Sequence, residues 1–224
     1  FLYPRPKTAW AAFMAGVPLR VGPLGRWYFP LFNRILNLHR SGHDRHEADF
    51  NLDLVRALGI RTGLRAPALN LPGKAVAEKN LVILHPGSGG SSPTWGANRF
   101  LDLALALEKE GLKVAVSAGP GEEEKAFRAA GSRFQVLSGM ELVEAASAFS
   151  RARVVVAGST GALHLASAAG VSVVGLYSAL PASTPVRWGP LGPHRVLVAK
   201  RQDDSSLETI GVSEVLQAVK ELLA

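Results

Sequence analysis

From Val154 to Tyr177 the chain reads Val-Val-Val-Ala-Gly-Ser-Thr-Gly-Ala-Leu-His-Leu-Ala-Ser-Ala-Ala-Gly-Val-Ser-Val-Val-Gly-Leu-Tyr. A β-branched apolar strand ends at Ala157. A turn of small residues, Gly158, Ser159, Thr160 and Gly161, then opens a helix, and a second apolar strand follows. The first turn of a helix presents backbone N–H groups without intrahelical acceptors and the positive end of the helix dipole, so it favours an anion. Small residues let a diphosphate approach the backbone, and Ser159 or Thr160 can either cap the helix or donate a hydroxyl to the ligand. An ordinary capped helix in an α/β domain would use the same residues.

Outward from this unit the alternation is regular. Strands are expected at Leu81 to Leu84, Lys113 to Ser117, Gln135 to Leu137, Arg153 to Val156, Ser172 to Tyr177 and Arg195 to Val198. Helices are expected at Ala97 to Lys109, Glu122 to Ala130, Glu141 to Phe149, Ala162 to Ala169 and Val212 to Leu223. Strands joined by single helices require right-handed crossovers, so the fold class is α/β with a doubly wound parallel sheet. In such sheets ligands sit beyond the carboxyl ends of the strands.

Four loops leave strand carboxyl ends and would meet at one rim. His85-Pro86-Gly87-Ser88-Gly89-Gly90 exposes backbone N–H groups, and Ser88 adds a hydroxyl suited to phosphate; a plain surface loop is the alternative. Ala118-Gly119-Pro120-Gly121-Glu122 begins a helix with acids, where Glu122 either compensates the dipole or accepts both hydroxyls of a ribose. Met140, after Ser138-Gly139, can pack its thioether on a flat base or fill core. His164 lies one helical turn from Thr160 and is aimed at the same anion, or is structural. Together these loops describe a nucleotide-diphosphate pocket.

Composition narrows the classes. With 47% hydrophobic residues in 224, the chain can bury a sizeable core. Zero cysteines exclude disulfides, thiol nucleophiles and Cys-ligated metals. No run of about 18 apolar residues occurs, so no membrane span is expected. The six histidines form no His-Glu-x-x-His pattern, and no metal site is expected.

Net charge is +7 and is unevenly spread: residues 1–43 hold Arg5, Lys7, Arg20, Arg26, Arg34 and Arg40 and no acid. Trp10, Trp27, Tyr28, Phe29 and Phe32 fall in the same segment, a mixture suited to an anionic lipid surface or a phosphorylated acceptor. A fortuitously basic surface is the alternative. Nucleic acid is not expected as a partner, because no RNA- or DNA-binding signature is present. Prolines 4, 6, 18, 23 and 30 break any long amphipathic transit helix.

Phe-Leu-Tyr-Pro at the start reads as the end of a strand entered from upstream, so a longer natural protein is expected. A helix from Thr8 to Met14, a strand from Leu19 to Val21 and an amphipathic helix from His46 to Leu58 follow. Residues 63–79 lack periodicity and carry Pro and Gly. The expected division is a partial N-terminal domain over 1–62, a linker over 63–79 and a nucleotide-sugar domain over 80–224.

His-Pro-Gly-Ser-Gly-Gly…Trp95, Gly-Pro-Gly-Glu-Glu-Glu at 119–124, Gly-Ser-Thr-Gly-Ala-Leu-His-Leu-Ala…Gly-Val and Arg-Trp-Gly-Pro at 187–190 resemble the carboxyl-terminal domain of glycosyltransferase family 9, the ADP-heptose:lipopolysaccharide heptosyltransferases. Residues 1–60, with Arg45-His-Glu and Leu52 to Ile60, resemble the second half of that family's amino-terminal domain. The resemblance implies a GT-B architecture of two Rossmann-like domains. It implies that Ser88 and Gly89 meet the phosphates, Glu122 the ribose and Met140 the adenine. Ser159, Thr160 and Gly161 would hold the diphosphate, with His164 nearby.

Two positions depart from the family pattern. Pro93-Thr94 stands where a Lys usually precedes the Trp, and Ser159 where an Asp usually precedes the Thr-Gly turn. Arg99 reaching in, a different donor or weak activity would each accommodate the lost cation. The general base implied by the resemblance, an Asp in a glycine-rich loop of the amino-terminal domain, has no counterpart in the 224 residues and is expected upstream of Phe1.

The expected activity is inverting, metal-independent transfer of a heptose or related sugar from a nucleotide diphosphate to a lipopolysaccharide-type or other lipid-linked glycan in a bacterium. No cofactor is expected beyond the nucleotide-sugar co-substrate. The expected location is cytoplasmic, peripheral on the inner face of the membrane. A degenerate family member that binds without transfer is the alternative. An NAD-dependent oxidoreductase is disfavoured because no Gly-x-Gly-x-x-Gly opens a helix with an acid about 20 residues on.

Overall fold

A computed structural model describes residues 5–38, 40–42, 44–71, 76–200 and 206–224. The strand end expected at residues 1–4 lies outside them. The chain divides into two compact units, Phe1–Arg65 and Ala66–Ala224.

The first unit contains helix α1 (Pro6–Met14), strands β1 (Val21–Pro23) and β2 (Arg34–Leu36) and helix α2 (Glu47–Arg56). The two strands pair in parallel, Val21 opposite Arg34. The strand expected at Leu19 to Val21 begins two residues later, because the Arg20 N–H is taken by the Asn33 side chain at 2.8 Å and the ladder starts beyond it. Strand β2 was not expected; three residues between two asparagines carry no usable period. Helix α2 starts after His46, whose Nδ1 accepts the Ala48 N–H at 3.1 Å and so caps the helix.

The second unit is built from β3 (Leu81–His85), α3 (Ala97–Lys109), β4 (Lys113–Ser117), α4 (Glu123–Ala130), β5 (Gln135–Leu137) and α5 (Leu142–Ser150). These are followed by β6 (Val154–Gly158), α6 (Gly161–Ala168), β7 (Ser172–Tyr177), α7 (Pro185–Trp188), β8 (His194–Val198) and α8 (Val212–Leu223). The longer elements fall within two residues of their expected ends. Residues ahead of β3 join this unit: the Leu69 N–H donates to Ala168 O at 2.9 Å.

All strands of the larger sheet are parallel, in the order β5-β4-β3-β6-β7-β8. Counted within the sheet this is the doubly wound 3-2-1-4-5-6 arrangement, and the winding reverses between β3 and β6. Alternation along each strand feeds two cores. Val82, Leu84, Val116, Val154, Val156 and Leu176 meet Phe100, Leu103 and Leu107 of α3 and Val215 and Val219 of α8. Ile83, Ala115, Val155, Ala157, Val173 and Tyr177 meet Phe149 of α5 and Leu163 and Ala166 of α6. Each large side chain so buried contributes about 1.5–3 kcal/mol relative to exposure.

The Trp95 indole, part of the motif that follows the first loop, belongs to the first core. Its N–H donates to Ile210 O at 2.9 Å and its ring meets Phe100 edge-on at 5.2 Å. Helix α6 is capped at its C-terminus by Ala169, after which Gly170 at φ +87° takes the left-handed turn that a side chain would disfavour.

Candidate functional site

Register across the reversal point fixes the site. His85 at the end of β3 stands opposite Ala157 of β6, so the glycine loop after β3 and the small-residue turn after β6 emerge side by side. A cleft of about 780 Å³ opens there, lined by Ser88, Gly89, Glu122, Met140, Thr160, Gly161 and His164 of the expected residues. Its size suits a nucleotide-sized ligand. Leu142, Ala145, Phe149 and Leu165 add an apolar wall beside Met140.

Glu122 organises one side. Its Oε1 accepts the backbone N–H of Ser88 at 2.7 Å and of Gly89 at 2.8 Å. Its Oε2 lies 3.9 Å from His85 Nε2. A Cβ built on Gly87 would come within 2.0 Å of that Oε2, so the loop backbone closes on the carboxylate only because residue 87 has no side chain. Burial alone would raise the Glu122 pKa, but the Gly89 and Ser88 N–H groups, with His85 and Lys125, hold it below the ordinary carboxylate value. The His85 imidazole is held below its ordinary value by burial, against the opposing pull of Glu122. Its Nδ1 pairs with Ser117 Oγ at 3.0 Å. Glu122, expected at a ribose, therefore already has one oxygen committed to the loop.

Thr160 organises the other side. It precedes α6 in extended geometry, φ −135° and ψ 169°, and its side chain makes no capping hydrogen bond. Thr160 is 5% exposed, and its hydroxyl has no hydrogen-bond partner. A buried hydroxyl without a partner costs about 1–3 kcal/mol, so a ligand atom that accepted from it would relieve the deficit.

Ser159 does not line the cleft. Its N–H continues the β6 ladder to Leu176 O at 3.2 Å, and strand alternation turns its side chain to the face of Val155 and Ala157. There it hydrogen-bonds the Tyr177 phenol, which donates in turn to Trp188 O at 2.8 Å. Burial raises the Tyr177 pKa well above its ordinary value, with the Ser159 bond opposing.

Among the described residues, no Lys or Arg lines the cleft, whereas Glu122 and Glu141 do. The Ser92–Pro93 segment packs over the end of β6: a Cβ on Gly158 would sit 3.6 Å from Ser92 Oγ and Pro93 O and 3.8 Å from Thr160 Cγ2. Pro93 is thus beside the α6 head but carries no charge. Arg99 does not substitute for a cation there, because its guanidinium donates to the carbonyls of Glu208 and Ile210. Among the described residues no group of three or more His, Asp or Glu could hold a metal, and no helix is long and apolar enough to cross a membrane.

Sequence reasoning gave no role to His85 and Ser117. The available signal was a polar residue closing each of two apolar strands, Leu-Val-Ile-Leu-His and Lys-Val-Ala-Val-Ser. The apolar wall of α5 left no signal, since its residues read as ordinary core.

Comparison with known proteins agrees with this geometry. The sequence model of glycosyltransferase family 9 (heptosyltransferase) matches residues 34–210. A Haemophilus influenzae protein named "Putative glycosyltransferase" is 30% identical over 243 residues, covering 95% of this chain and 69% of the relative. A family 9 glycosyl transferase from Veillonella parvula superposes with a TM-score of 0.79 at 22% identity, covering 99% of this chain and 72% of its own. E. coli ADP-heptose lps heptosyltransferase II gives 0.74 at 21%, covering 97% and 73%. The E. coli heptosyltransferase WaaC with ADP gives 0.69 at 21%, covering 87% and 61%. The parallel sheet and these likenesses agree with a GT-B-like architecture. By a match over most of its length, the chain belongs to glycosyltransferase family 9.

Proposed function

We propose that the cleft holds the nucleotide diphosphate of an ADP-linked heptose or related sugar, and that the protein transfers the sugar with inversion, without a metal, to a lipid-linked glycan of the lipopolysaccharide type. The observation that carries this reading is the buried, partnerless Thr160 hydroxyl at the head of α6, in a residue that lines the cleft together with Ser88 and Gly89 of the glycine loop at the point where the sheet winding reverses. The structural relative solved with ADP is consistent with that nucleotide.

In this reading the diphosphate lies over the first N–H groups of α6, where Thr160 donates its hydroxyl, with Ser88 opposite and His164 one turn along. The base enters the apolar wall at Met140, and the ribose reaches Glu122 Oε2 while Oε1 keeps the loop in place. The bond between the anomeric carbon and the diphosphate oxygen breaks through an oxocarbenium-like state as the acceptor oxygen attacks the opposite face. The helix head stabilises the charge that gathers on the departing ADP. The acceptor proton passes to the carboxylate base that the family resemblance implies.

A second reading, binding without transfer, is favoured by specific features. Pro93 stands where a cation would neutralise the leaving group, Ser159 is tied to Tyr177, and the cleft carries two acids and no Lys or Arg among the described residues.

Thermal shift with ADP, UDP, GDP and NAD tests the site. Selective stabilisation by ADP is expected, of about 2.7 kcal/mol at a hundredfold excess over Kd, and a preference for NAD would overturn the assignment. Release of ADP from an ADP-sugar in the presence of acceptor then separates transfer from binding alone, and EDTA is expected to leave it unchanged.

A further inference from the structure

His85 closes β3, lines the nucleotide cleft and is buried. Its two ring nitrogens face different partners. Nδ1 lies 3.0 Å from Ser117 Oγ, and that oxygen lies 3.4 Å from Leu84 O. The Ser117 hydroxyl can therefore serve either charge state of the ring. With a neutral imidazole it donates to Nδ1; with an imidazolium it accepts from Nδ1–H and turns its own proton to Leu84 O. The ring can change charge without leaving its place.

Nε2 faces Glu122 Oε2 at 3.9 Å, outside hydrogen-bond reach. The two carboxylate oxygens differ. Oε1 is tied by the Ser88 and Gly89 N–H groups, whereas Oε2 accepts no hydrogen bond from the described residues. Glycine backbone flanks Oε2: a Cβ on Gly87 would come within 2.0 Å of it and one on Gly119 within 3.0 Å. Oε2 can turn to a ligand in the cleft, or close on Nε2–H to the length of about 2.8 Å usual for a charged pair. The other groups around the ring do not compete for that contact. Lys125, with an exposed side chain, approaches the opposite oxygen, Oε1, at 3.7 Å. From α5 the ring meets Phe149 edge-on at 6.5 Å, and β6 places Ala157 opposite. Glu141 and His164 are the remaining titratable groups that line the cleft among the described residues.

We propose that His85 is a positioning residue whose charge state sets where Glu122 Oε2 goes: the neutral imidazole leaves it to a ribose hydroxyl of the nucleotide, and the imidazolium draws it away, so that nucleotide binding weakens on acidification. This inference rests on the nucleotide reading of the cleft. Burial keeps the ring neutral to lower pH than an exposed histidine, so the binding form predominates at neutral pH. Where part of the protein carries the imidazolium, nucleotide binding expels its proton.

The test is calorimetry on the full chain with ADP and with its 2′,3′-dideoxy analogue, from about pH 7.5 down to about pH 5.5. Titration of the phosphates is common to both nucleotides, so the difference between their profiles isolates the ribose hydroxyls. In the wild type, ADP affinity is expected to fall roughly tenfold more than that of the analogue across this range. His85→Gln, uncharged throughout, is expected to make the two profiles parallel. In paired buffers of different ionisation heat at about pH 6, ADP binding is expected to release more protons from the wild type than from His85→Gln. A merely structural histidine would instead lower affinity equally at every pH. The wild-type comparison of the two nucleotides needs no substitution, so it decides the matter even if His85→Gln folds poorly. ADP binding with the same pH profile as the analogue, or a difference between the profiles that survives in folded His85→Gln, would overturn this proposal alone. No binding of ADP at any pH would overturn the nucleotide reading and this proposal with it.

Discussion

The carboxylate of Glu122 accepts the backbone N–H of Ser88 at 2.7 Å across 34 residues of chain. An acid at the start of one helix thus sets the shape of the glycine loop that follows a different strand. The loop has few side chains with which to define itself. Its conformation is specified from outside, by a carboxylate that also accepts from Gly89 and faces His85.

Replacing Glu122 with Ala removes the acceptor and leaves the Ser88 and Gly89 N–H groups without it. We expect a loss of roughly 1–3 kcal/mol in stability, measured by urea denaturation, together with weaker ADP binding by calorimetry. Glu122→Gln keeps one oxygen for the loop and is expected to lose less stability. Equal stability of Glu122→Ala and wild type would show that the loop holds itself.

The same network sets an acid limit. The folded-state pKa of His85 lies below its ordinary 6.5, so the unfolded chain binds its proton first and stability falls as pH drops below that value. Glu122 is depressed below its ordinary 4.5, so its contribution is complete above that value and is lost as pH falls through the folded pKa. Melting temperature is expected to decline in two stages on acidification, beginning near the histidine range. His85→Gln is expected to remove the first stage and keep the second; an unchanged profile would show that His85 titrates normally.

The sheet was legible in the sequence because its strands are apolar, β-branched and separated by single amphipathic helices, from Leu81 through Tyr177. The small-residue turn at 158–161 announced the α6 head, which is why Thr160 and Gly161 were foreseen in the cleft. Tertiary relations were not legible. That Glu122 Oε1 serves the Ser88 loop depends on the lateral order β4-β3, and the turning of Ser159 toward Tyr177 depends on the β6–β7 register. Strand order and register are set by packing between distant segments, which local period does not encode.

Gly87→Ala tests the close approach. A methyl group 2.0 Å from Glu122 Oε2 forces either the loop or the carboxylate to move, and the carboxylate is anchored by two hydrogen bonds. We expect ADP affinity to fall at least as far as in Glu122→Gln, with a stability loss of about 1–3 kcal/mol. Gly90→Ala offers a contrast: its Cβ meets nothing within 4 Å, though its φ of +74° carries a smaller backbone cost.

Pro93→Lys tests whether the missing cation limits the site. The segment already lies over Gly158, beside Thr160, so a lysine there has the α6 head within reach. ADP affinity is expected to rise by about 1–2 kcal/mol at low salt and to become more sensitive to ionic strength. If transfer rises along with binding, the natural Pro93 is what weakens leaving-group stabilisation. If affinity is unchanged, the diphosphate does not lie near this segment.

Thr160→Val separates a ligand contact from a structural role. Valine has nearly the same shape, and the hydroxyl it replaces makes no hydrogen bond within the protein. A capping threonine would lose about 1 kcal/mol on such a change, but here no cap bond exists to lose. The ligand-free protein is therefore expected to be as stable as wild type or slightly more stable, because a buried polar atom without a partner is removed. The hydrogen bond to a charged phosphate oxygen would vanish, at about 1.5–3 kcal/mol, so ADP affinity is expected to fall roughly tenfold to a hundredfold. Chemical denaturation without ligand and calorimetry with ADP measure the two effects independently. Loss of stability with unchanged affinity would make Thr160 a structural residue and move the diphosphate away from the head of α6.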